Sequence, residues 1–297
     1  MREASPVVVL GHTGLLGRAL IEGFRAQGLG GVCGSASADM DLTQPGSADR
    51  LAAVVDRGTT LVMAAARRSE SEDGVDAAGA NVAMALTIAR LLQRAAVRRC
   101  VYVSSAAVYR TGAAGLVREE SPLAPESFYA IGKFAAEQLL QHAARQGGAA
   151  LLIVRPCRMY GAGDARASYG PAHFLRAAVE GRPVELYGDG AELRDHLYVE
   201  DAARAICELA RSAHHGVVNL ATGQSLPFVR WLELVEAQIG QAVQRRERPR
   251  TRPRFDQRFD IRRLRQAVPT WRFTEPAEGL RRMHEAIVQR PEGVVAP

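Results

Sequence analysis

The chain has 297 residues, of which 47% are apolar and 24% charged, and its net charge is +6. This balance is that of a globular protein and excludes a disordered or fibrous one. No apolar run reaches the roughly 20 residues that cross a membrane. Strand signals begin within six residues of Met1, which leaves no space for a signal peptide, so we expect a cytoplasmic protein without a membrane partner. The cysteines and histidines show no metal-ligand or disulfide spacing, so no metal site is expected.

Strand and helix signals alternate through the first half of the chain. Short apolar runs predict strands at 6–10, 31–34, 60–64, 99–104 and 150–155, and helical patterns predict helices at 18–24, 48–57, 78–96 and 127–146. This alternation is typical of an α/β fold with a doubly wound parallel sheet. After Gly161, glycine and proline become more frequent, and a strand at 217–220 returns to the sheet. We therefore expect one domain from 1–160 plus 198–222 and a smaller α+β lobe from 161–197 plus 223–297.

The first strand leads directly into a glycine-rich turn. The turn reads Gly11-His12-Thr13-Gly14-Leu15-Leu16-Gly17, and a helical pattern starting at Arg18 follows it. Glycines permit a tight turn and let a pyrophosphate reach the backbone, while the N-terminus of the following helix attracts the anion. The spacing is Gly-x-x-Gly-x-x-Gly rather than the Gly-x-Gly-x-x-Gly of many dehydrogenases. The turn and its position indicate nucleotide binding.

The chain contains a single lysine, Lys133, among 38 lysines and arginines. Tyr129 precedes it by four residues, so the two side chains lie on one helix face about 5–6 Å apart. An ammonium group there would favour the phenolate, lower the tyrosine pKa from about 10 and make Tyr129 a proton donor or acceptor. An ordinary surface pair is the alternative. The replacement of every other lysine by arginine favours a site that needs the compact ammonium.

A serine pair, Ser104 and Ser105, ends the predicted strand at 99–104. Ligands of open α/β sheets bind beyond this end of the strands. A serine pair at a strand end is often only a turn or a cap. Combined with the glycine turn and the Tyr129/Lys133 pair, it predicts a hydroxyl group that holds the reacting oxygen of a substrate, and we assign this role to Ser105.

Further motifs recur along the chain. They are Arg155-Pro156-Cys157-Arg158-Met159-Tyr160-Gly161, Tyr187-Gly188-Asp189-Gly190, Arg194-Asp195-His196-Leu197-Tyr198-Val199-Glu200-Asp201, Asn219-Leu220-Ala221-Thr222-Gly223 and Asp260-Ile261-Arg262-Arg263-Leu264. With the glycine turn, with Asn81 in the helix after the Met63-Ala64-Ala65-Ala66 strand end, and with the serine, tyrosine and lysine, they cover nearly the whole length. In these motifs the chain resembles the extended short-chain dehydrogenase/reductase superfamily, in its NAD(P)-dependent nucleotide-sugar epimerase/dehydratase branch.

The resemblance implies a Rossmann-type first domain that binds NAD(P) and a second lobe that binds a nucleotide sugar. Tyr129 would act as acid/base, Lys133 would hold the nicotinamide ribose, and Ser105 would orient the reacting oxygen while a hydride passes between the sugar carbon and the nicotinamide. It also implies a homodimer formed through the helices at 78–96 and 127–146.

The resemblance also implies two sets of binding residues. The cofactor set comprises Gly11, Thr13, Gly14, Leu15, Leu16, Gly17, Arg18, Ser35, Asp41, Leu42, Ala64, Ala65, Ala66, Asn81, Ser104, Tyr129, Lys133 and Pro156. The substrate set comprises Ser105, Ala106, Tyr129, Arg158, Arg194 and an arginine of the 245–265 segment, Arg248 or Arg252, of which we assign Arg252. For Arg194 the alternative is a local ion pair with Asp195.

Departures from the family pattern reduce the number of reactions that the chain is expected to catalyse. In its dehydratases and decarboxylases acidic residues closely follow the catalytic serine or threonine, whereas Ala106 and Ala107 stand here. This argues against water elimination, and the absence of a second acid/base at Ala107 argues against 3,5-epimerising synthases. C4 epimerisation and reduction of a 4-keto sugar both remain open. Two further departures leave the identity of the substrate undetermined. Many relatives carry asparagine at the position of Arg158, and relatives carry glycine at the position of Arg110.

The segment after the second predicted strand bears on the cofactor. An acidic residue that would hold the NAD ribose is expected about 20 residues into the unit, but Gly34-Ser35-Ala36-Ser37 stands there. A 2′-phosphate is therefore tolerated, and Arg18 could reach it. Asp39 or Asp41 could restore NAD binding if the loop folds back. We favour NADP(H) over NAD(H).

A basic segment at 245–265 offers a competing function. It carries ten arginines against three acidic residues, as nucleic-acid-binding segments do. Pro249 and Pro253 interrupt it, and no nucleic-acid motif accompanies it, so we expect no nucleic-acid partner. We expect instead a solvated face or arginines that bind a substrate diphosphate. The remaining alternative is a non-catalytic, nucleotide-sensing regulator, against which the retained Ser105, Tyr129 and Lys133 argue.

Overall fold

Strands and helices alternate through the first half of the structure. The structure, a computed structural model, describes residues 6–28, 31–67, 74–94, 96–112, 115–164, 169–250 and 253–289. The first half comprises β1 (Val7–Leu10), α1 (Leu15–Ala26), β2 (Val32–Ser35), α2 (Ser47–Ala52), β3 (Thr60–Met63), α3 (Val75–Gln93), β4 (Arg99–Val103), a 3-10 turn (Ala106–Val108), β5 (Leu116–Val117), α4 (Phe128–Gly147) and β6 (Ala150–Pro156).

Shorter strands and helices make up the second half. They are β7 (Arg158–Tyr160), α5 (Pro171–Val179), β8 (Val184–Tyr187), β9 (Leu193–Arg194), β10 (His196–Tyr198), α6 (Val199–Arg211), β11 (Gly216–Leu220), β12 (Leu226–Pro227), α7 (Phe228–Ile239), β13 (Arg245–Arg248), β14 (Arg258–Phe259), α8 (Arg262–Ala267) and α9 (Pro276–Val288).

In the described part of the chain a six-stranded parallel sheet forms the centre, in the order β11-β6-β4-β3-β1-β2. Leu10 at the end of β1 lies beside Ser35 of β2 and Met63 of β3. The carboxyl ends of these strands therefore meet at one edge. The chain leaves β1 towards β2 on one side and continues with β3 on the other, and at such a reversal open α/β sheets bind ligands. The predicted Rossmann-type, doubly wound sheet is confirmed.

Helices cover both faces of the sheet, which explains the continuous apolar strands. All four residues of β1 are buried, as expected for a parallel strand covered on both sides. One face packs against α1 and α6 through Leu20, Phe24 and Ile206. The other packs against α3 and α4 through residues such as Ile88 and Leu140.

Several predicted helices have different bounds in the structure. The helix expected at 18–24 starts earlier and ends later, running from Leu15 to Ala26. The helix expected at 48–57 ends at Ala52, because the Asp56 carboxylate accepts hydrogen bonds from the Gly58 N–H (2.9 Å) and the Thr59 hydroxyl (2.8 Å) and stabilises a turn there. The helix expected at 78–96 runs from Val75 to Gln93, since the chain must reverse before β4 and buries Val97 in doing so.

Helix α3 is long and apolar enough to cross a membrane by length and composition alone. However, 56% of its most apolar window is buried inside the protein. It packs along α4 and against the sheet. This burial is typical of the core helix of a globular domain.

A separate apolar cluster lies in the second half of the chain. It joins α5, α7 and α9 around Phe174, Trp231 and Leu280, and β8 pairs with β13 beside it. These segments fall within the predicted lobe. Other residues of that predicted lobe, including Leu264 of α8 and Trp271, pack instead with the α1/α6 face of the sheet.

His196 of β10 is buried against the aromatic rings of this cluster. Its ring centroid lies 5.7 Å from that of Phe228 and 5.3 Å from that of Trp231. Both ring nitrogens are buried, and neither has a hydrogen-bond partner among the described residues. Burial, with the positive charges of Arg158 and Arg194 added to it, lowers the pKa of His196 well below 6.5.

This environment predicts a loss of stability in acid. Below about pH 6.5 a histidine in the unfolded chain binds a proton that folded His196 does not, so the free energy of unfolding falls by up to about 1.4 kcal/mol per pH unit until the folded pKa is reached. Urea unfolding at a series of pH values measures the slope. His196→Phe, an apolar ring among the same neighbours, should give a slope that is shallower by one proton, and equal slopes would contradict the prediction.

Candidate functional site

The glycine turn brings β1 directly against the end of β3. Gly11 has φ +84°, and a Cβ atom there would lie 2.6 Å from the Ala65 Cα atom. At Gly17 a Cβ atom would lie 2.0 Å from the Gly11 carbonyl oxygen. Both positions therefore require glycine: the first lets the turn touch the segment after β3, and the second lets α1 pack on the turn.

The N-terminus of α1 is suited to an anion. Gly14 caps the helix without a side-chain hydrogen bond, and its first turn contains no acidic residue. The first backbone N–H groups and the positive end of the helix dipole therefore face the turn uncompensated. Arg18 adds a positive charge at the rim, where its guanidinium donates to the Thr13 carbonyl at 2.7 Å. The backbone N–H groups and the helix dipole fit the pyrophosphate of a dinucleotide.

The acidic residues after β2 are held in local turns. The Asp39 carboxylate accepts from the Ala36 N–H at 2.9 Å. The Asp41 carboxylate accepts from the Thr43 hydroxyl (2.7 Å) and N–H (2.9 Å), and these hydrogen bonds lower its pKa. At the end of β2 itself the imidazole of His12 lies so close that a Cβ atom at Gly34 would be 2.5 Å from its Cγ.

Asn81 holds the segment that follows β3. Its side chain accepts from the Arg67 N–H and donates to the Arg67 carbonyl, both at 2.9 Å. These two hydrogen bonds fix the chain that follows Ala64–Ala66 against α3. Asn81 thus supports the predicted cofactor cleft through the backbone of that segment.

The two serines after β4 have different surroundings. The Ser105 hydroxyl accepts from the Ala107 N–H at 3.1 Å and caps the 3-10 turn, and the residue is half-buried. Ser104 is 2% exposed, and its hydroxyl donates to Glu137 at 2.5 Å. Of the two, Ser105 is the one with an accessible side chain.

Tyr129 and Lys133 share the first part of α4, as predicted. Ser127 caps this helix by accepting from the Ala130 N–H at 3.1 Å, and Tyr129 is half-buried. Lys133 is 2% exposed. Its Nζ donates to the Val103 carbonyl at 2.8 Å and lies 5.0 Å from the centre of the Tyr102 ring. The ammonium group is thus fixed at the end of β4, immediately before the serine pair.

A buried ion pair that the sequence did not reveal lies next to these residues. Glu137 and Arg155 form it, with 0% and 3% of their side chains exposed. Glu137 follows Lys133 by four residues and so lies on the same face of α4. An acidic residue at this spacing was the sequence feature from which a buried ion pair could have been predicted. Arg155 also donates to the Tyr109 hydroxyl at 3.0 Å, which donates to Asn219 at 2.6 Å.

The predicted substrate arginines lie in three different environments. Arg194 is 6% exposed; it donates to Glu192 (2.5 Å) and to the Phe255 carbonyl (2.6 Å) and stacks on the Phe255 ring. Its ion-pair partner is therefore Glu192 rather than Asp195. Arg158 is exposed at the start of β7, and Arg252 lies outside the described residues.

Asp195 has a separate structural role. Its carboxylate accepts from the Thr222 hydroxyl (2.8 Å) and N–H (3.1 Å) and from the Gly223 N–H (2.8 Å). Burial raises its pKa, although these donors oppose the shift. Asp195 thereby ties the loop after β11 to the segment between β9 and β10.

The basic segment at 245–265 is largely paired with carboxylates. Contacts of 2.6–3.0 Å join Arg248 to Glu185, Arg245 to Glu236, Arg250 to Asp189 and Arg254 to Asp256. A nucleic-acid surface needs a net positive potential toward solvent. These pairs reduce that potential and favour a solvated protein face.

Comparison with known proteins agrees with this geometry. Residues 7–221 match the NAD dependent epimerase/dehydratase family. GDP-L-fucose synthase 1 of Arabidopsis thaliana is 24% identical over 260 residues, which are 80% of this chain and 79% of that protein. UDP-glucose 4-epimerase of Mycolicibacterium smegmatis is 32% identical over 161 residues, 53% of this chain and 51% of that protein.

A solved structure shows the same fold. The UDP-glucose 4-epimerase of Thermus thermophilus, in complex with NAD, superimposes with a TM-score of 0.83 over 96% of this chain and 99% of that one, at 23% identity. The family match spans the glycine turn, the serine pair, the Tyr129/Lys133 helix and β11. The chain therefore belongs to the NAD dependent epimerase/dehydratase family.

Proposed function

We propose that the protein oxidises or reduces a nucleotide-activated sugar at a ring carbon, C4 in our assignment, with Tyr129 as the acid/base. The observation that carries this proposal is the anchoring of Lys133 on the Val103 carbonyl. It holds the ammonium group one helical turn from Tyr129 and two residues from Ser105. Proton transfer by a positioned tyrosine needs such a group to stabilise the phenolate.

Each residue of the site has a defined role in this reaction. NAD(P), when bound, supplies or accepts the hydride. Reduction of a ring ketone also takes up one proton, which the Tyr129 hydroxyl gives to the substrate oxygen, and oxidation returns it. Ser105 donates a hydrogen bond to the same oxygen and orients it. Lys133 favours the phenolate electrostatically and binds the nicotinamide ribose.

Two reactions fit these residues, C4 epimerisation and 4-ketoreduction. Water elimination needs a further acid, and the residues after Ser105 are Ala106, which is buried, and Ala107, whose methyl group offers none. The relatives carry names of more than one kind, a GDP-L-fucose synthase and a UDP-glucose 4-epimerase. The two reactions differ in whether the cofactor stays bound between turnovers.

For the cofactor we propose NADP(H) in preference to NAD(H). Asp39 and Asp41 are occupied by their own turns, and the end of β2 presents Gly34 and Ser35 without a carboxylate. Arg18 stands at the rim of the glycine turn and would pair with a 2′-phosphate. For the substrate we propose Arg158 as a phosphate contact, with 161–197 and 223–297 as the lobe that encloses the sugar nucleotide.

We also propose a homodimer formed through α3 and α4. These helices border a surface groove of about 360 Å³ lined by Leu86, Ala89, Leu139 and Ala143 with polar residues at its rim. Leu86 is 38% exposed, and Ile131 on α4 is 45% exposed. Exposed apolar side chains on helices that border an apolar groove are typical of an interface.

Replacing Tyr129 by phenylalanine tests the acid/base. With UDP-glucose, UDP-N-acetylglucosamine, UDP-glucuronic acid and GDP-L-fucose as substrates, Tyr129→Phe should lower turnover by about 10²–10⁴-fold, the usual contribution of a positioned acid/base. Cofactor affinity and melting temperature should change little. Tyr198→Phe, which removes a hydroxyl bonded to Glu200, is the control. Unchanged turnover in Tyr129→Phe would remove the tyrosine from the mechanism.

The bound nucleotide distinguishes an epimerase from a reductase. When freshly purified protein is denatured, mass spectrometry should detect no released NAD. Titration of the folded protein should show tighter binding of NADPH than of NAD. Arg18→Ala should weaken NADPH binding about 10- to 100-fold, the worth of a charge-assisted hydrogen bond, and leave NAD binding within a factor of three. Arg25→Ala, in the last turn of the same helix, is the control. Retained NAD, or equal losses for both cofactors, would contradict the preference for NADP(H).

Light scattering tests the dimer. The wild-type protein should show twice the mass of one 32.0 kDa chain. Leu86→Glu places a charge in the α3/α4 groove and should give a monomer, because burying an unpaired carboxylate is strongly unfavourable. Val54→Glu, at a position that is 63% exposed away from this groove, should remain dimeric. A wild-type monomer would end the proposal.

A further inference from the structure

The buried face of α4 carries a third polar residue beyond Tyr129 and Lys133. Glu137 follows at the same four-residue spacing and is fully buried. Arg155 of β6 donates two hydrogen bonds to its carboxylate. The distance is 2.9 Å from Nε to Oε1 and 2.6 Å from the terminal nitrogen to Oε2. Ser104, at the end of β4, donates to the same Oε1 at 2.5 Å. The carboxylate is therefore fixed from two strands of the sheet.

The far side of Arg155 is fixed as well. Its other terminal nitrogen donates to the Tyr109 hydroxyl at 3.0 Å and to the Glu119 carbonyl at 3.2 Å. Tyr109 in turn donates to Asn219 of β11 at 2.6 Å. The guanidinium therefore connects α4, β4, β6 and β11 with the segment that leaves the 3-10 turn, and a bidentate arginine leaves little freedom to slide or rotate.

Val103, the last residue of β4, and Ser104, which follows it, hold two residues of α4 that are one helical turn apart. The Val103 carbonyl accepts from Lys133 at 2.8 Å, and the Ser104 hydroxyl donates to Glu137. Attachment at two points on its axis fixes a helix both along and around that axis. The residue that follows Ser104 is Ser105, and one turn before Lys133 stands Tyr129. The same two attachments therefore set the position of Tyr129 relative to Ser105.

Stability alone does not account for this ion pair. Desolvation of two charges offsets most of their attraction, and well-packed apolar residues of similar volume often stabilise a fold as well or better. Apolar contacts, however, tolerate small shifts that a bidentate, fully hydrogen-bonded carboxylate does not. A shift of about 1 Å in a reacting group can lower a rate about 10²-fold.

We propose that Glu137, held by Arg155 and Ser104, is a positioning residue that fixes α4 so that Tyr129 meets the substrate oxygen held by Ser105. It does not touch the reacting atoms. The inference rests on the proposed function, because it assigns Glu137 an effect on the reaction of that same site.

The sharpest test replaces the ion pair by apolar residues. The double variant Glu137→Leu/Arg155→Met keeps side-chain volume and leaves no buried charge unpaired, so its melting temperature should stay close to that of the wild type. Turnover of whichever of the four nucleotide sugars is a substrate should fall about 10- to 100-fold in kcat, the effect of a shift of about 1 Å. KM and the NADPH dissociation constant should stay within a factor of three. Arg145→Ala, exposed in the last turn of α4, should change none of these quantities.

Hydrogen–deuterium exchange gives a second readout that needs no substrate. In the double variant, amides of residues 128–134 should exchange faster, with exchange in α1 unchanged. Wild-type kcat and wild-type exchange would overturn the proposal, as would parallel losses of turnover and cofactor binding, which a purely structural role predicts. If the double variant fails to fold, Ser104→Ala, which removes one of the two attachments, decides by the same readouts.

The two proposals fail separately. If Tyr129→Phe remains active, the proposed mechanism is wrong whatever Glu137 does. If Tyr129→Phe is inactive while the double variant turns over normally, the mechanism stands and the positioning role is wrong.

Discussion

The ion pair between Glu137 and Arg155 is the contact on which the geometry of the site depends. It is buried on all sides, so neither water nor salt screens it. A buried pair of this kind is tolerated only when hydrogen bonds satisfy its remaining donors and lone pairs. Ser104 and Tyr109 supply them. Asn219 of β11 accepts a hydrogen bond from Tyr109 and extends the network to that strand. The polar groups below the site are thus one connected network.

The parallel sheet explains why this network and the glycine turn meet at the same edge. Every strand of the sheet runs in the same direction, so the segments after β1, β3, β4 and β6 all leave at one side. Gly11 touches Ala65 there, and Asn81 holds the continuation of that segment through the Arg67 backbone. The edge therefore combines the N-terminus of α1 on one side with Ser105, Tyr129 and Lys133 on the other, at the spacing that the strands impose.

Local patterns predicted the sheet well because they depend on neighbours in the chain. The buried strands are short apolar runs, and Tyr129 and Lys133 lie four residues apart, so the sequence was sufficient to predict both. The network was not predictable in this way. Arg155 lies 46 residues from Tyr109, and Tyr109 lies 110 residues from Asn219. Pairs between residues so far apart in the sequence can be identified only when the order of the strands in the sheet is known. Charged residues close together in the sequence were also ambiguous, because Arg194 pairs with Glu192, two residues away on the same side of the extended chain, while Asp195 turns towards Thr222.

The use of lysine and arginine in this chain follows from the shapes of the two side chains. On the surface, arginine bridges several acceptors at once, as Arg250 does between Asp189 and Glu192. At the end of β4 the basic group must fit between the Val103 carbonyl and the Tyr102 ring. A single ammonium nitrogen on a thin stem fits there, while a planar guanidinium would separate α4 from β4. Lysine thus remains at the one position where the basic group must fit between a helix and the end of a strand that pack closely together.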